Sequence, residues 1–153
     1  MTSDRTPTAL VLTRQNLAPM AGSSREALKG AYVLDDCEGT PELILMASGS
    51  EVELAMKAKA VLAAEGKKVR VVSMPCVDLF EEQSAEYKES VLPKEVRRRV
   101  AVEALSDFGW GKYIGLDGAA VTMTGFGASG PAAELFDHFG FTVDHVVEVA
   151  RSL

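Results

Sequence analysis

Residues 42–73, ELILMASGSEVELAMKAKAVLAAEGKKVRVVS, decide the fold. "ELILMA" (42–47) and "KVRVVS" (68–73) are short apolar runs flanked by turn residues, the pattern of buried strands. In the stretch between them Leu54, Ala55, Ala58, Val61 and Leu62 fall on one face of a helix, while Glu53, Lys57 and Lys59 lie elsewhere. Glu53 and Lys57 form an i,i+4 pair in the favoured order, and Gly66 stands where a helix commonly ends. Strand, helix and strand in direct succession make a βαβ crossover, which requires the two strands to run parallel.

The same alternation extends outward. "TALVLT" (8–13), "AYVLDD" (31–36), "RVAVEA" (99–104) and "AAVTM" (119–123) read as further strands, and weaker helical patterns run over 84–91, 106–114, 131–139 and 143–152. Phe108, Trp110 and Tyr113 have helix-like spacing and predict an amphipathic helix packed on the sheet. The first two strand candidates break the alternation, being joined by the long segment RQNLAPMAGSSREALKG; one of them is expected to be loosely attached or antiparallel. The expected fold is α/β: three α/β/α layers around a mostly parallel sheet of about five strands, one of them antiparallel.

Bulk properties bound the function. A chain of 153 residues, 47% hydrophobic and 25% charged, supports one core, so residues 1–153 are read as a single domain. A net charge of −6 and a pI near 5.0 give no footprint for nucleic acid or an anionic membrane, and the one basic run, Arg97-Arg98-Arg99, is too short to alter that. No stretch approaches the ~20 apolar residues of a membrane span, and the start, MTSDRTPTAL, has no secretory pattern. Cys37 and Cys76 are too few for a disulfide framework and read as small apolar fillers, which fits a reducing cytosol. The ending Arg-Ser-Leu is not a peroxisomal signal, so the expected location is the cytoplasm.

Three local patterns invite a functional reading. Gly125, Gly127 and Gly130 have the spacing G-x-G-x-x-G of a dinucleotide loop, but such a loop needs a following strand with a ribose-binding carboxylate. The sole well-placed candidate, Glu148, lies in a segment whose apolar positions Val143, Val146, Val147 and Ala150 suit a helix at least as well. Gly125 and Gly127 are therefore read as turn residues, with Ser129 or Gly130 capping a helix that has Pro131 in its first turn. "ASGSEVEL" (47–54) occupies a strand-to-helix junction, a common ligand site, yet Ser50-x-x-Glu53 reads as a capping box, and Glu51 and Glu53 would repel an anion. His138 and His145 stand seven apart, but Gly140 and Phe141 intervene, so they read as separate surface histidines rather than a metal pair.

Several segments, in order along nearly the whole chain, carry a family resemblance: "TRQNL", "GSEVELA", "VVSMPCVDLFEEQSAEYKESVLP", "VAVEA", "WGKYIG" and "TGFGASGPAAELFDHFGFT". Together they resemble the C-terminal domain of transketolase. The resemblance implies an enzyme that moves a two-carbon ketol unit from a ketose phosphate to an aldose phosphate, with thiamine diphosphate and magnesium bound by two other domains across a homodimer. This chain would be the third domain, inactive alone, contacting the other two domains and a second subunit, and no cofactor or metal site is expected in it. In the family the glycine segment is a structural loop, and the arginine of "SRQNL" contacts the substrate phosphate. It matches Arg14 here, with Thr13 where Ser is frequent. The same resemblance makes Met1 look like an interior position of a longer protein. Two alternatives stay open: an independent small-ligand or regulatory module using the "ASGSEVEL" crevice, and the terminal domain of a related thiamine enzyme such as a 2-oxoacid dehydrogenase component or deoxyxylulose phosphate synthase.

Overall fold

The computed structural model describes residues 7–153, so the readings of the first residues, the lack of a secretory pattern and the interior Met1, fall in part on positions outside them. Five strands form one sheet: β1 (Tyr32–Asp35), β2 (Leu43–Ala47), β3 (Val69–Ser73), β4 (Arg99–Glu103) and β5 (Ala119–Thr122), in the order β1-β3-β2-β4-β5. β2, β3, β4 and β5 run parallel, and β1 pairs with β3 antiparallel at the edge. This is the expected fold class, with the antiparallel strand at Tyr32–Asp35.

Period-two alternation sorts the strand residues into two cores. Leu43, Leu45, Ala47, Val69, Val71, Val100 and Val102 face helices α1 (Glu51–Ala64) and α6 (Val143–Arg151). Ile44, Met46, Val72 and Ala101 face Phe80 of α2 (Val77–Glu81), Val91 of α3 (Ala85–Val91) and Tyr113 of α4 (Gly111–Ile114). Helix α5 (Ala132–His138) adds Phe136 to the first core.

Helix α1 follows its sequence closely. Leu54, Ala55, Ala58 and Leu62 are buried, Lys57 Nζ meets Glu53 Oε1 at 2.6 Å, and Val61 is the one expected core residue left largely exposed. At its end Gly66 takes φ +84°; the Gly66 N–H bonds to the Ala63 carbonyl at 2.9 Å and the Lys67 N–H to the Leu62 carbonyl at 3.0 Å, a Schellman closure that favours glycine. Lys59, read as lying off the apolar face, is nonetheless buried, its ammonium 2.7 Å from Asp35 Oδ2 and 2.6 Å from the Asp36 carbonyl.

Four sequence readings are corrected. Residues 8–13 form no strand: Leu10, Val11 and Leu12 are 72%, 91% and 73% exposed and pair with neither edge of the sheet. Ser50 does not cap α1; its backbone is already helical (φ −68°, ψ −25°), and its hydroxyl bonds to Glu51 Oε1 at 2.7 Å while Glu53 turns to Lys57. Neither Ser129 nor Gly130 caps α5, since Pro131 itself holds the cap position without a side-chain bond. The aromatic helix shrinks to α4: Trp110 and Tyr113 are buried, whereas Phe108 is 94% exposed in the preceding loop.

A polar cluster fastens the second helical layer. Glu81 accepts from Tyr113 Oη at 2.5 Å and pairs with Lys112 Nζ at 2.6 Å. The Lys112 and Tyr113 hydrogen bonds lower the Glu81 pKa from 4.5 to about 2. A folded-state pKa below the unfolded one contributes stability that is present above the unfolded value and is lost as pH falls through about 4.5 toward about 2. Glu81→Gln should therefore flatten the fall in melting temperature over that window; parallel curves for the two proteins would contradict the assignment.

Candidate functional site

Successive crossovers run in opposite directions about β2. Helix α1 carries the chain to β3 on one side of β2, and α2 and α3 return it over the other face to β4 on the other side. The loops after β2 and β4 therefore diverge at the C-terminal ends of the parallel strands, the usual ligand crevice of an open α/β sheet. A cavity of about 400 Å³ opens there, lined by Ser48, Met74, Glu103, Leu105, Phe108 and Trp110.

Its polar floor is made by register. Ala47 and Val102 are sheet partners, so the next residues meet: Ser48 Oγ donates to Glu103 Oε2 at 3.0 Å. Glu51, in the first turn of α1, is 5% exposed. Burial pushes its carboxyl above the ordinary range and nearby Glu103 adds to this, against the Ser50 hydroxyl and the Ala104 N–H, which favour the ionised form. The sequence reading named Glu51 only as a charge that repels anions and did not single out Glu103. The signal available was that Glu103 ends a buried strand and Glu51 opens the helix that follows one; the strand order that makes them neighbours is not written locally.

Arg14 is exposed, in a bend with Gln15. The Gln15 N–H and Nε2 both donate to Thr13 Oγ1 at 3.2 Å. Gln15 and Leu17 line a groove of about 260 Å³ with Ser50, Leu54, Phe136 and Val143. The segment thus lies beside the first turns of α1, and Arg14 is carried toward the same end of the sheet as the crevice.

The glycine segment follows edge strand β5. Gly125 and Gly127 have no positive φ and nothing near the position of a Cβ, so neither requires glycine within this domain. Glu148 lies in helix α6, so the strand a dinucleotide site would need is a helix. Gly125→Ala and Gly127→Ala should leave the melting temperature of the chain within about 2 °C, because substitutions in open surface positions change stability by less than about 0.5 kcal/mol; a fall of several degrees would mean that the turn needs glycine after all. His138 ends α5, whereas His145 lies in α6, its Nδ1 2.8 Å from the Gly140 carbonyl, with Gly140 at φ +79° breaking the helix between them. Among the described residues no three His, Cys, Asp or Glu side chains are grouped to hold a metal, and no helix is long and apolar enough to cross a membrane.

Residues 30–142 match the family described as the transketolase-like TK C-terminal domain. The chain belongs to this transketolase family. Transketolase 1 of Escherichia coli (strain K12) is 58% identical over 151 residues, covering 96% of this chain and 23% of the relative. Transketolase from Leishmania mexicana superposes with a TM-score of 0.84 at 48% identity, covering 92% of this chain and 20% of that one. Pichia stipitis transketolase in complex with sedoheptulose-7-phosphate gives a TM-score of 0.83 at 44% identity, covering 91% and 20%. The chain therefore spans 23% of the length of the curated transketolases it matches.

Proposed function

We propose that residues 1–153 form the C-terminal domain of a longer transketolase, cytoplasmic and homodimeric, that transfers a two-carbon ketol unit between sugar phosphates. The observation that carries this reading is the 58% identity to a transketolase across 96% of the chain. The sugar phosphate held by the Pichia stipitis relative supports the substrate class.

Within that enzyme Arg14 binds the phosphate of the substrate. Its guanidinium is a planar fork that holds phosphate bidentately and stays charged at physiological pH. Exposure leaves it available, and the bend at Arg14 and Gln15 presents it beside α1. Arg14 works by binding and orienting, and this domain supplies no group to the bond-making step.

Thiamine diphosphate and magnesium belong, in this reading, to the preceding domains. The donors of this chain do not suit them. Glu103, which lines the crevice, and its neighbour Glu51 are both hydrogen-bonded to serines, and the negative charge of Glu103 would repel a diphosphate there.

Replacing the last quarter of the Escherichia coli relative with this chain tests the proposal. The chimera should transfer ketol units from sedoheptulose-7-phosphate within about tenfold of the parent rate, a loss of at most about 1.4 kcal/mol. A folded chimera with no transfer would withdraw the reading.

A further inference from the structure

The one basic run of the chain, Arg97-Arg98-Arg99, is split by the fold. Arg97 and Arg98 are exposed in the turn before β4, whereas Arg99 opens the strand and is partly buried. Its Nε donates to the Val96 carbonyl at 2.8 Å, Nη1 to the Tyr113 carbonyl at 2.9 Å, and Nη2 to the Leu92 and Pro93 carbonyls at 3.2 and 2.7 Å. A guanidinium carries five N–H groups, so one on Nη1 is left over among the described residues. All four acceptors are neutral. The buried cations Lys59 and Arg70 each grip a carboxylate. Among the described residues, the Lys and Arg side chains with no carboxylate within ion-pair distance are Arg14, Arg25, Lys68, Arg98 and Arg99, and of these Arg99 alone is not exposed. Burial lowers its pKa from the ordinary value, and Glu89 offsets this only in part.

Arg99 lies in the wall of a cavity of about 230 Å³, with Lys94, Arg97, Ile114, Leu116 and Asp117. The cavity opens at the N-terminal ends of β4 and β5, the end of the sheet opposite the crevice. One side of it is the loop 115–118, whose shape two glycines set. Gly115 takes φ +68° and ψ −161°, a region open essentially to glycine alone. A Cβ at Gly118 would lie 2.4 Å from the Ile114 carbonyl oxygen and 2.6 Å from that of Arg99, so only glycine lets the loop come down onto the start of β4. Asp117 is the one acid in the lining, and it is engaged by Arg97, Nε to Oδ2 at 2.5 Å. Glu89 reaches the Lys94 ammonium only at 3.8 Å.

We propose that this cavity binds a phosphate dianion, as the free ion or as the phosphate of a small phosphomonoester, at a site separate from Arg14. The unbalanced charge of Arg99 and its remaining N–H supply the fixed part of the site. Lys94, whose side chain is 90% exposed, and Arg97, 68% exposed, supply mobile charge at the mouth. Guanidinium and ammonium donors together suit phosphate oxygens. Two such charges beyond the Arg97–Asp117 pair favour a dianion over a monoanion. The volume excludes a large ligand, since sites for drug-sized molecules run to about 300–1,000 Å³.

Amide and arginine-side-chain NMR of the 153-residue chain tests this, with inorganic phosphate, ribose 5-phosphate and acetate titrated in turn at constant ionic strength. Inorganic phosphate should shift the Leu116 and Asp117 amides and the Arg99 Nε–H saturably, with Kd of about 1 mM. Tighter binding of ribose 5-phosphate would assign the site to a phosphomonoester, and equal binding to the free ion. Arg99→Ala would also cut the ties to the chain ends of α3 and α4, so the exposed cations carry the test. Lys94→Gln and Arg97→Gln together should raise Kd about tenfold or more, whereas Arg98→Gln, whose side chain lines no part of the cavity, should raise it less than about threefold. The proposal is overturned if the shifts do not saturate, if they are confined to the residues around Arg14, if acetate matches phosphate, or if Arg98→Gln weakens binding as much as the cavity variants.

Discussion

Arg70→Ala should destabilise the domain by about 3 kcal/mol, lowering its melting temperature by roughly 6–12 °C. The Arg70 side chain, 10% exposed, lies on β3. Its Nε and Nη2 donate to the two Asp36 carboxylate oxygens at 2.9 and 2.8 Å. Nη1 donates to the carbonyls of Ser90 and Val91 at 2.8 and 3.1 Å. One guanidinium therefore holds the chain just after edge strand β1 and the end of α3 to the sheet. Burial alone would raise the Asp36 pKa, but Arg70, the Cys37 N–H and Lys59 together hold it below the ordinary range. Breaking a buried pair costs about 3–5 kcal/mol; Asp36 is 43% exposed and can rehydrate, which places the cost at the lower end. Arg70→Lys should recover less than half, since an ammonium cannot bridge a carboxylate and two carbonyls at once. Urea unfolding measures both variants. A loss below about 1 kcal/mol for Arg70→Ala would mean that the pair behaves as a surface ion pair.

That hub was invisible in the sequence, and the reason is physical. Periodicity reports which residues want burial, so β2, α1 and β3 were legible from alternation, from the Glu53–Lys57 pair and from Gly66. It does not report what covers a face. Residues 8–13 have the apolar pattern of a strand, yet Leu10, Val11 and Leu12 meet no sheet within this domain. Buried cations such as Lys59 and Arg70 look like solvent-facing charges until the fold brings Asp35 and Asp36 to them from more than 20 positions away. The capping box failed because Ser50 is already in helical conformation, so its hydroxyl reaches Glu51 instead. Ser48 and Glu103 meet only because the strand order places β4 beside β2. Arg14 has no periodicity, motif or partner of its own to mark it; its assignment came through the residues around it, "TRQNL", and their family resemblance.

Arg14→Ala, made in the active chimera, should lower kcat/KM for sugar phosphates by about 10- to 150-fold, because a hydrogen bond to a charged partner contributes roughly 1.5–3 kcal/mol. The phosphate is distant from the reacting carbons, so Arg14 holds substrate and transition state about equally, and the loss should appear in KM more than in kcat. Arg14→Lys should restore part of it, supplying charge without the fork. Stability should barely change, since Arg14 is exposed and makes no ion pair among the described residues. The most direct measurement compares kcat/KM of the Arg14→Ala chimera and its parent on a phosphorylated ketose and on the same ketose without its phosphate. The account predicts the full loss on the first and less than about threefold on the second, which has nothing for Arg14 to grip. Equal losses on both would contradict it and make Arg14 a support of the fold or of a domain contact.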